Sequence, residues 1–151
     1  MVCRRGLADH TRTVQPNLAG SGGRSCTVQR SADENPARNR WVLGWVPDLE
    51  VIYRDADAVI IPLRAGGGTR IKLLEAAAHR RPVVTTTIGA EGIDVTNGRD
   101  CLIADNATDF AAACVRLAND PALAARLGRH GEDLVRSRYT LSAMIDALHP
   151  R

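Results

Sequence analysis

One stretch constrains the fold of this chain more than any other, and it covers residues 58–85. It begins with four apolar residues, Ala58–Ile61, the pattern of a strand buried on both faces of a parallel sheet. Three glycines, Gly66–Gly68, precede the alanine-rich segment Arg70–His79, and Pro82 opens a second apolar run. The order predicts a βαβ unit whose glycine turn follows the carboxyl end of a strand, where open α/β sheets bind ligands.

The start of the predicted helix carries an unusual charge. With Thr69 as N-cap, Arg70 and Lys72 fall in the first turn, where the helix dipole disfavours cations by up to ~1 kcal/mol. Lys72 is the only lysine in the chain, against nineteen arginines. Such a helix start indicates a bound anion, most often a phosphate. The spacing fits a second interpretation equally well, in which a plain glycine turn is followed by a surface ion pair between Lys72 and Glu75 and no phosphate binds.

Further strands and helices are predicted on both sides of this unit. Trp41–Leu43 has the pattern of a strand, and so has Cys101–Ala104. Between the central unit and the later strand, residues 85–98 form either a loop that closes over a ligand or a simple connection. A helix is predicted over Asn106–Asn119 and another from Pro121. The predicted apolar stripes are Ile71, Leu74 and Ala78 in the central helix, Leu123, Leu127, Leu134 and Val135 in the Pro121 helix, and Leu141, Met144, Ile145 and Leu148 in a last helix over Leu141–Leu148.

Three consecutive segments resemble one known family in the same register. The segment GGGTRIKLLEAAAHRRPVV is similar to the signature of GT-B glycosyltransferases of family 4, roughly G-x-G-x-x-x-K-x-x-E-A-x-A-x-G-x-P-V-V. The preceding GWVPDLEVIYRDADAVIIPL and the following TTTIGAEGIDVTNGRDCLIAD resemble the same family, so the likeness extends from about Arg40 to Thr140. The resemblance implies an α/β fold with a three-layer Rossmann-like parallel sheet, the carboxyl-terminal, donor-binding half of a GT-B enzyme. It further implies sugar transfer from a nucleotide sugar with retention of configuration and without a metal.

The resemblance also implies which residues hold the donor. Glu75 matches the family glutamate that accepts hydrogen bonds from the ribose hydroxyls, a role that suits an ionised carboxylate. Many members carry a second acidic residue eight positions earlier, and Gly67 stands there in this chain. The implied contact between that acid and the transferred sugar is therefore missing, and no catalytic residue is predicted. The remaining predicted donor contacts are the backbone at Gly66, Gly67, Gly68 and Thr69, with Arg70 and Lys72 on phosphate.

Two further positions near this site bear on the resemblance: Arg80 departs from the family pattern and Glu91 matches it. Arg80 replaces the family glycine that ends the central helix, and a left-handed conformation there would cost on the order of 1 kcal/mol. Glu91 matches the loop after the next strand, where it is either a ligand or, more simply, a solvated acid.

The charge distribution and the residue types exclude several functional classes. Residues 41–151 contain thirteen basic and fourteen acidic residues, which argues against a nucleic-acid binder. The four histidines are scattered and do not pair with the cysteines, so no metal site is predicted. No run approaches the ~18 apolar residues of a membrane helix. Cys101 and Cys114 lie in apolar segments as expected for buried free thiols, which favours a cytoplasmic location, free or at the membrane periphery.

The first part of the chain departs most from the family pattern. Residues 1–38 have no sustained apolar run, which predicts either a disordered arm or a divergent segment, with the nucleotide-sugar-binding domain over residues 39–151. Gly20, Gly22 and Gly23 only loosely resemble a dinucleotide fingerprint. Two functions stay open: the donor half of a glycosyltransferase whose acceptor domain is missing here, or a non-catalytic nucleotide-sugar-binding or structural remnant. The sequence does not predict the nucleotide of the donor (UDP, GDP or ADP), the sugar or the acceptor.

Overall fold

The computed structural model describes residues 2–3, 28–30, 41–43 and 46–148. The chain divides into two compact units, one of Met1–Leu7 with Glu50–Arg151 and the other of Ala8–Leu49. The elements in chain order are β1 (Val2–Cys3), β2 (Val28–Arg30), β3 (Trp41–Leu43), α1 (Leu49–Arg54), β4 (Ala58–Ile61), α2 (Ile71–Ala78), β5 (Val83–Thr85), α3 (Thr87–Ala90), β6 (Leu102–Ile103), α4 (Ala107–Asn119), α5 (Pro121–Arg138) and α6 (Leu141–Leu148).

The larger unit is built on a four-stranded sheet in the order β1-β4-β5-β6. Strands β4, β5 and β6 are parallel, with Val59 opposite Val83 and Val84 opposite Leu102. The crossover from β4 to β5 contains α2, as the sequence predicts for a βαβ unit. The predicted α/β class with a parallel sheet is therefore confirmed.

Both faces of this sheet are covered, which gives the predicted three layers. One face packs against α1, α2 and α3, and the other packs against α4 and α5. Neighbouring residues of a strand point to opposite faces, so Val83 belongs to the first core and Val84 to the second. The first core contains Tyr53, Val59, Leu73, Ala76, Val83, Ala90 and Cys101, and the second contains Ala58, Val84, Leu102, Leu117, Leu123 and Leu127.

Helix α2 buries a different face from the predicted one. The buried side chains are Leu73, Ala76 and Ala77, whereas Ile71 is 54% exposed. The predicted stripe of Ile71, Leu74 and Ala78 is therefore wrong. Both sets follow the helical repeat, and packing selects the small alanines because α5 approaches closely, with Gly131 against Ala77.

The end of α2 confirms the strained conformation considered for Arg80. Arg80 has a φ of 57°, and its N–H donates to the Ala77 carbonyl at 2.9 Å. The N–H of Arg81 donates to the Ala76 carbonyl at 2.8 Å, which completes a Schellman motif. The Arg80 guanidinium pairs with Glu132 of α5 at 2.5 Å. This hydrogen bond, with a second from Arg136, holds the pKa of Glu132 below its usual range.

The helices after the sheet begin where the sequence predicts. The Asn106 side chain accepts from the N–H of Asp109 at 2.8 Å and caps α4, and Pro121 lies in the first turn of α5. In α6, Leu141 and Ile145 are exposed as predicted. The side chains of Met144 and Leu148, the rest of that predicted stripe, lie outside the described residues.

The expectation that the first part of the chain contains no strand is wrong, because β1 and β2 lie within the first forty residues. Strand β1 pairs antiparallel with β4, and in the smaller unit β2 pairs antiparallel with β3. Val2–Cys3 and Val28–Arg30 contain no sustained apolar run for the sequence pattern to reveal, whereas the predicted strand Trp41–Leu43 is confirmed as β3. The predicted boundary at residue 38 stays a prediction, and Gly20, Gly22 and Gly23 lie outside the described residues. No helix within the described part of the chain is long and apolar enough to cross a membrane.

Candidate functional site

The glycine loop after β4 lies at the carboxyl edge of the parallel strands, as predicted. Gly66 and Gly68 have φ values of +130° and +102°, which L side chains rarely adopt. A Cβ atom at Gly66, Gly67 or Gly68 would meet nothing within 4 Å. The first and third glycines are therefore required by backbone conformation, and the loop borders open space in which a ligand can approach the backbone.

Helix α2 begins one residue later than predicted. Arg70, rather than Thr69, is the N-cap, and no side chain caps the first turn. Lys72 is then the second helical residue and is exposed. The N–H of Leu73 donates to the Arg70 carbonyl at 3.0 Å. Within the described residues, the N–H groups of Ile71 and Lys72 have no partner, so this helix start can accept an anion.

The Arg70 side chain is folded into the protein and does not extend to solvent. The side chain is 7% exposed, and its guanidinium donates to the Gly66 carbonyl at 3.0 Å and to Glu91 Oε2 at 2.8 Å. Its buried Nε has no partner among the described residues. Arg70 therefore joins the glycine loop to the segment after α3. The Glu91 side chain is 69% exposed, as expected for a solvated acid, and its carboxylate pairs with Arg70. The alternative role of Glu91 as a ligand stays a prediction.

A second link joins the same two loops. Thr86 Oγ1 donates to the Leu63 carbonyl at 2.5 Å and accepts from the N–H of Gly89 at 3.0 Å, which caps the short helix α3. The segment over residues 85–98, predicted as a loop, thus contains a helical turn at its start. The ends of β4 and β5 are held together at the edge where the candidate site lies.

We expect Glu91→Ala to lower the free energy of unfolding by about 1–2 kcal/mol, because it leaves the buried guanidinium of Arg70 with fewer acceptors. Urea denaturation of the wild type and the variant measures this difference. Asp133→Ala, which removes an exposed acid from α5, is the matched control and should change stability by less than about 0.5 kcal/mol. Equal effects of the two substitutions would show that the pair with Arg70 is not stabilising.

Glu75 lies on α2 next to Tyr53, which the sequence predicts only as an apolar position of a short helix from Asp48 to about Asp55 and not as part of the site. The Tyr53 hydroxyl donates to Glu75 Oε2 at 2.9 Å, and the Tyr53 ring stacks on His79 with centroids 5.1 Å apart. Burial, followed by the hydrogen bond and the charge of Glu75, raises the pKa of Tyr53 to about 12. The predicted surface pair between Lys72 and Glu75 is not formed in the described part of the chain.

The described part of the chain also contains a cavity away from this edge. An apolar cavity of about 190 Å³ lies on the α4 and α5 side of the sheet, lined by Asp57, Ala58, Ile60, Val84, Cys114, Leu117, Ala118, Pro121 and Ala124. Its lining includes none of the predicted site residues. The described residues contain no group of three or more His, Cys, Asp or Glu side chains placed to hold a metal ion.

Comparison with known proteins identifies the family. The sequence model of the glycosyl transferases group 1 family matches residues 5–120, and the chain belongs to this family. The match begins well before Arg40 and so includes most of the segment that the sequence analysis regarded as an arm.

Individual relatives agree with this assignment. Trehalose synthase of Rubrobacter xylanophilus is 38% identical over 85 residues, which are 56% of this chain and 20% of that protein. The C-terminal domain of a glycosyl transferase group 1 family protein from Francisella tularensis superposes with a TM-score of 0.58 at 24% identity, over 65% of this chain and 52% of that one. Sucrose-phosphate synthase of Thermosynechococcus elongatus superposes with a TM-score of 0.58 at 25% identity, over 66% of this chain and 25% of that one.

These likenesses confirm that the fold is that of the carboxyl-terminal half of a GT-B glycosyltransferase. The chain spans only about a fifth to a half of the length of these relatives.

Proposed function

We propose that this chain is the donor-binding half of a family 4 glycosyltransferase that transfers a sugar from a nucleotide sugar to an acceptor with retention. The observation that supports this proposal is the position of Glu75. It lies on the helix that follows an open glycine loop at the carboxyl edge of the sheet, in a chain that belongs to this family. The donor is a UDP-, GDP- or ADP-linked sugar, and the reaction needs no metal.

In this proposal the donor lies along the start of α2. The backbone at Gly66–Thr69 and the N–H groups of Ile71 and Lys72 bind the diphosphate, because they are uncapped and border open space. The Glu75 carboxylate accepts hydrogen bonds from the ribose hydroxyls. Arg70 contributes by holding the loop, since its guanidinium already bonds Gly66 and Glu91.

The acceptor is bound by a second domain, which we place either in the same polypeptide or in a partner chain. The general base or nucleophile, where the reaction uses one, comes from that domain or from the substrate. We place the protein in the cytoplasm, free or at the membrane periphery, because Cys101 and Cys114 are free thiols, which a reducing compartment maintains.

A non-catalytic remnant is the second candidate function. It is favoured by Gly67, which stands where many relatives of this type carry an acid, and whose surroundings are open. Such a remnant would bind the nucleotide without using the sugar. With an acceptor domain supplied, a remnant would bind a nucleotide or nucleotide sugar without turnover, whereas a donor half would transfer the sugar.

Calorimetric titration with UDP, GDP and ADP tests the proposed function. We expect one of the three to bind measurably and with modest affinity, since the acceptor half contributes nothing to the isolated chain. Failure of all three to bind at millimolar concentration would overturn the proposal.

We expect Lys72→Ala to weaken nucleotide binding by about 0.5–1 kcal/mol at low salt and by much less at high salt, because an exposed ammonium acts through screened charge. The measurement is the same titration at two ionic strengths. Arg126→Ala removes an exposed positive charge from α5 and is the matched control. Loss of affinity that is independent of salt would contradict a purely electrostatic role.

A further inference from the structure

We propose that Tyr53 is a positioning residue that fixes the Glu75 carboxylate for recognition of the ribose hydroxyls. This inference rests on the proposed function, because it assigns a role to Tyr53 in the same site. The family match and the sequence pattern give no role to this tyrosine, and the contact between α1 and α2 reveals it.

The hydroxyl of Tyr53 and one oxygen of Glu75 form a direct hydrogen bond across two helices. Tyr53 belongs to α1, its side chain is buried, and its hydroxyl lies 2.9 Å from Glu75 Oε2. No other described group bonds to this carboxylate, so Oε1 and the second lone pair of Oε2 remain available to a ligand. One carboxylate oxygen is therefore held by the protein and the other is presented.

The tyrosine ring is itself held in place. It stacks on His79, with centroids 5.1 Å apart and an angle of 11° between the planes. His79 follows Glu75 by one helical turn, so a single aromatic ring contacts both residues on the same face of α2. The hydroxyl remains a donor across the physiological pH range, because the pKa of Tyr53 is raised to about 12.

This arrangement predicts an effect on specificity. A glutamate on a helix surface normally samples several rotamers, and a ligand that uses it must restrict them on binding. The hydrogen bond from Tyr53 restricts them in advance. Removing the hydroxyl should therefore weaken binding of nucleotides that have ribose hydroxyls and spare those that lack them.

The test compares Tyr53→Phe with the wild type in titrations of UDP, GDP and ADP and of their 2′,3′-dideoxy counterparts. The substitution keeps the ring and its stack on His79. We expect the preference for the ribonucleotide to fall about 3- to 10-fold, with the dideoxy affinity unchanged within about twofold. Tyr139→Phe, which removes a hydroxyl that accepts from the N–H of Asp94, is the matched control and should leave the preference unchanged.

The outcomes separate this inference from the proposed function. Loss of the preference in Glu75→Ala with full retention in Tyr53→Phe would overturn the positioning role and leave the ribose contact intact. A wild type that does not prefer the ribonucleotide would overturn the ribose contact itself.

A second measurement needs no ligand. The chain has two tyrosines, so in Tyr139→Phe only Tyr53 titrates as a phenol. We expect Glu75→Gln in that background to lower the pKa of Tyr53 from about 12, measured by ultraviolet absorbance, because the carboxylate charge is lost. An unchanged pKa would show that the two side chains do not interact in solution.

Discussion

Gly128→Ala is expected to lower the free energy of unfolding by about 1–3 kcal/mol, although alanine is the better helix former. A Cβ atom at Gly128 would lie 2.4 Å from the carbonyl oxygen of Arg80 and 3.2 Å from its carbon. Backbone atoms cannot rotate away as a flexible side chain can, so α5 must separate from the end of α2. Urea denaturation measures the loss.

The neighbouring helical glycine provides the comparison. A Cβ at Gly131 would lie 3.3 Å from the Ala77 Cβ and 3.4 Å from the Asp100 carbonyl oxygen, contacts that small shifts relieve. We expect Gly131→Ala to change stability by less than about 1 kcal/mol, because the gain in helix propensity offsets the crowding. If Gly128→Ala were no less stable than Gly131→Ala, α5 would not pack against the backbone of Arg80 as closely as the structure shows.

Glu75→Ala is expected to weaken binding of a nucleoside diphosphate by about 1–3 kcal/mol, the cost of losing charge-assisted hydrogen bonds to the ribose. Calorimetry against the nucleotide that the wild type binds gives this difference. Glu75→Gln keeps one acceptor oxygen, which can accept from Tyr53, and its amide NH2 can donate to a ribose oxygen, so this variant should lose less affinity.

Thermal unfolding of both variants checks that the helix is intact. If the Glu75→Ala variant bound the nucleotide with wild-type affinity, Glu75 would not be part of the binding site.

The elements that could be predicted from the sequence are those fixed by local chemistry. The apolar run Ala58–Ile61 has the bounds of β4, and Asn106 caps α4 through its own side chain. Arg80 adopts the left-handed conformation at the end of α2, two residues before Pro82 and at the position where the family pattern has glycine. Each of these depends on residues within one turn or one strand, which a single sequence contains.

The features that the sequence did not predict depend on packing between distant segments. Arg70 is the N-cap in place of Thr69, and its guanidinium is bound by Glu91, twenty-one residues away. The face of α2 is chosen by α5, and strand β1 is defined by its pairing with β4. The contact of Tyr53 with Glu75 likewise joins two helices that β4 separates in sequence. No local pattern encodes such pairings.

In the proposed function, a nucleotide donor binds along the glycine loop and the first turns of α2. Amide hydrogen exchange with and without the best-binding nucleoside diphosphate tests it most directly, because it locates the ligand without a substitution. We predict slower exchange over residues 66–75 and unchanged exchange in α5. Slower exchange confined to other segments, with residues 66–75 unaffected at a saturating concentration, would contradict the account.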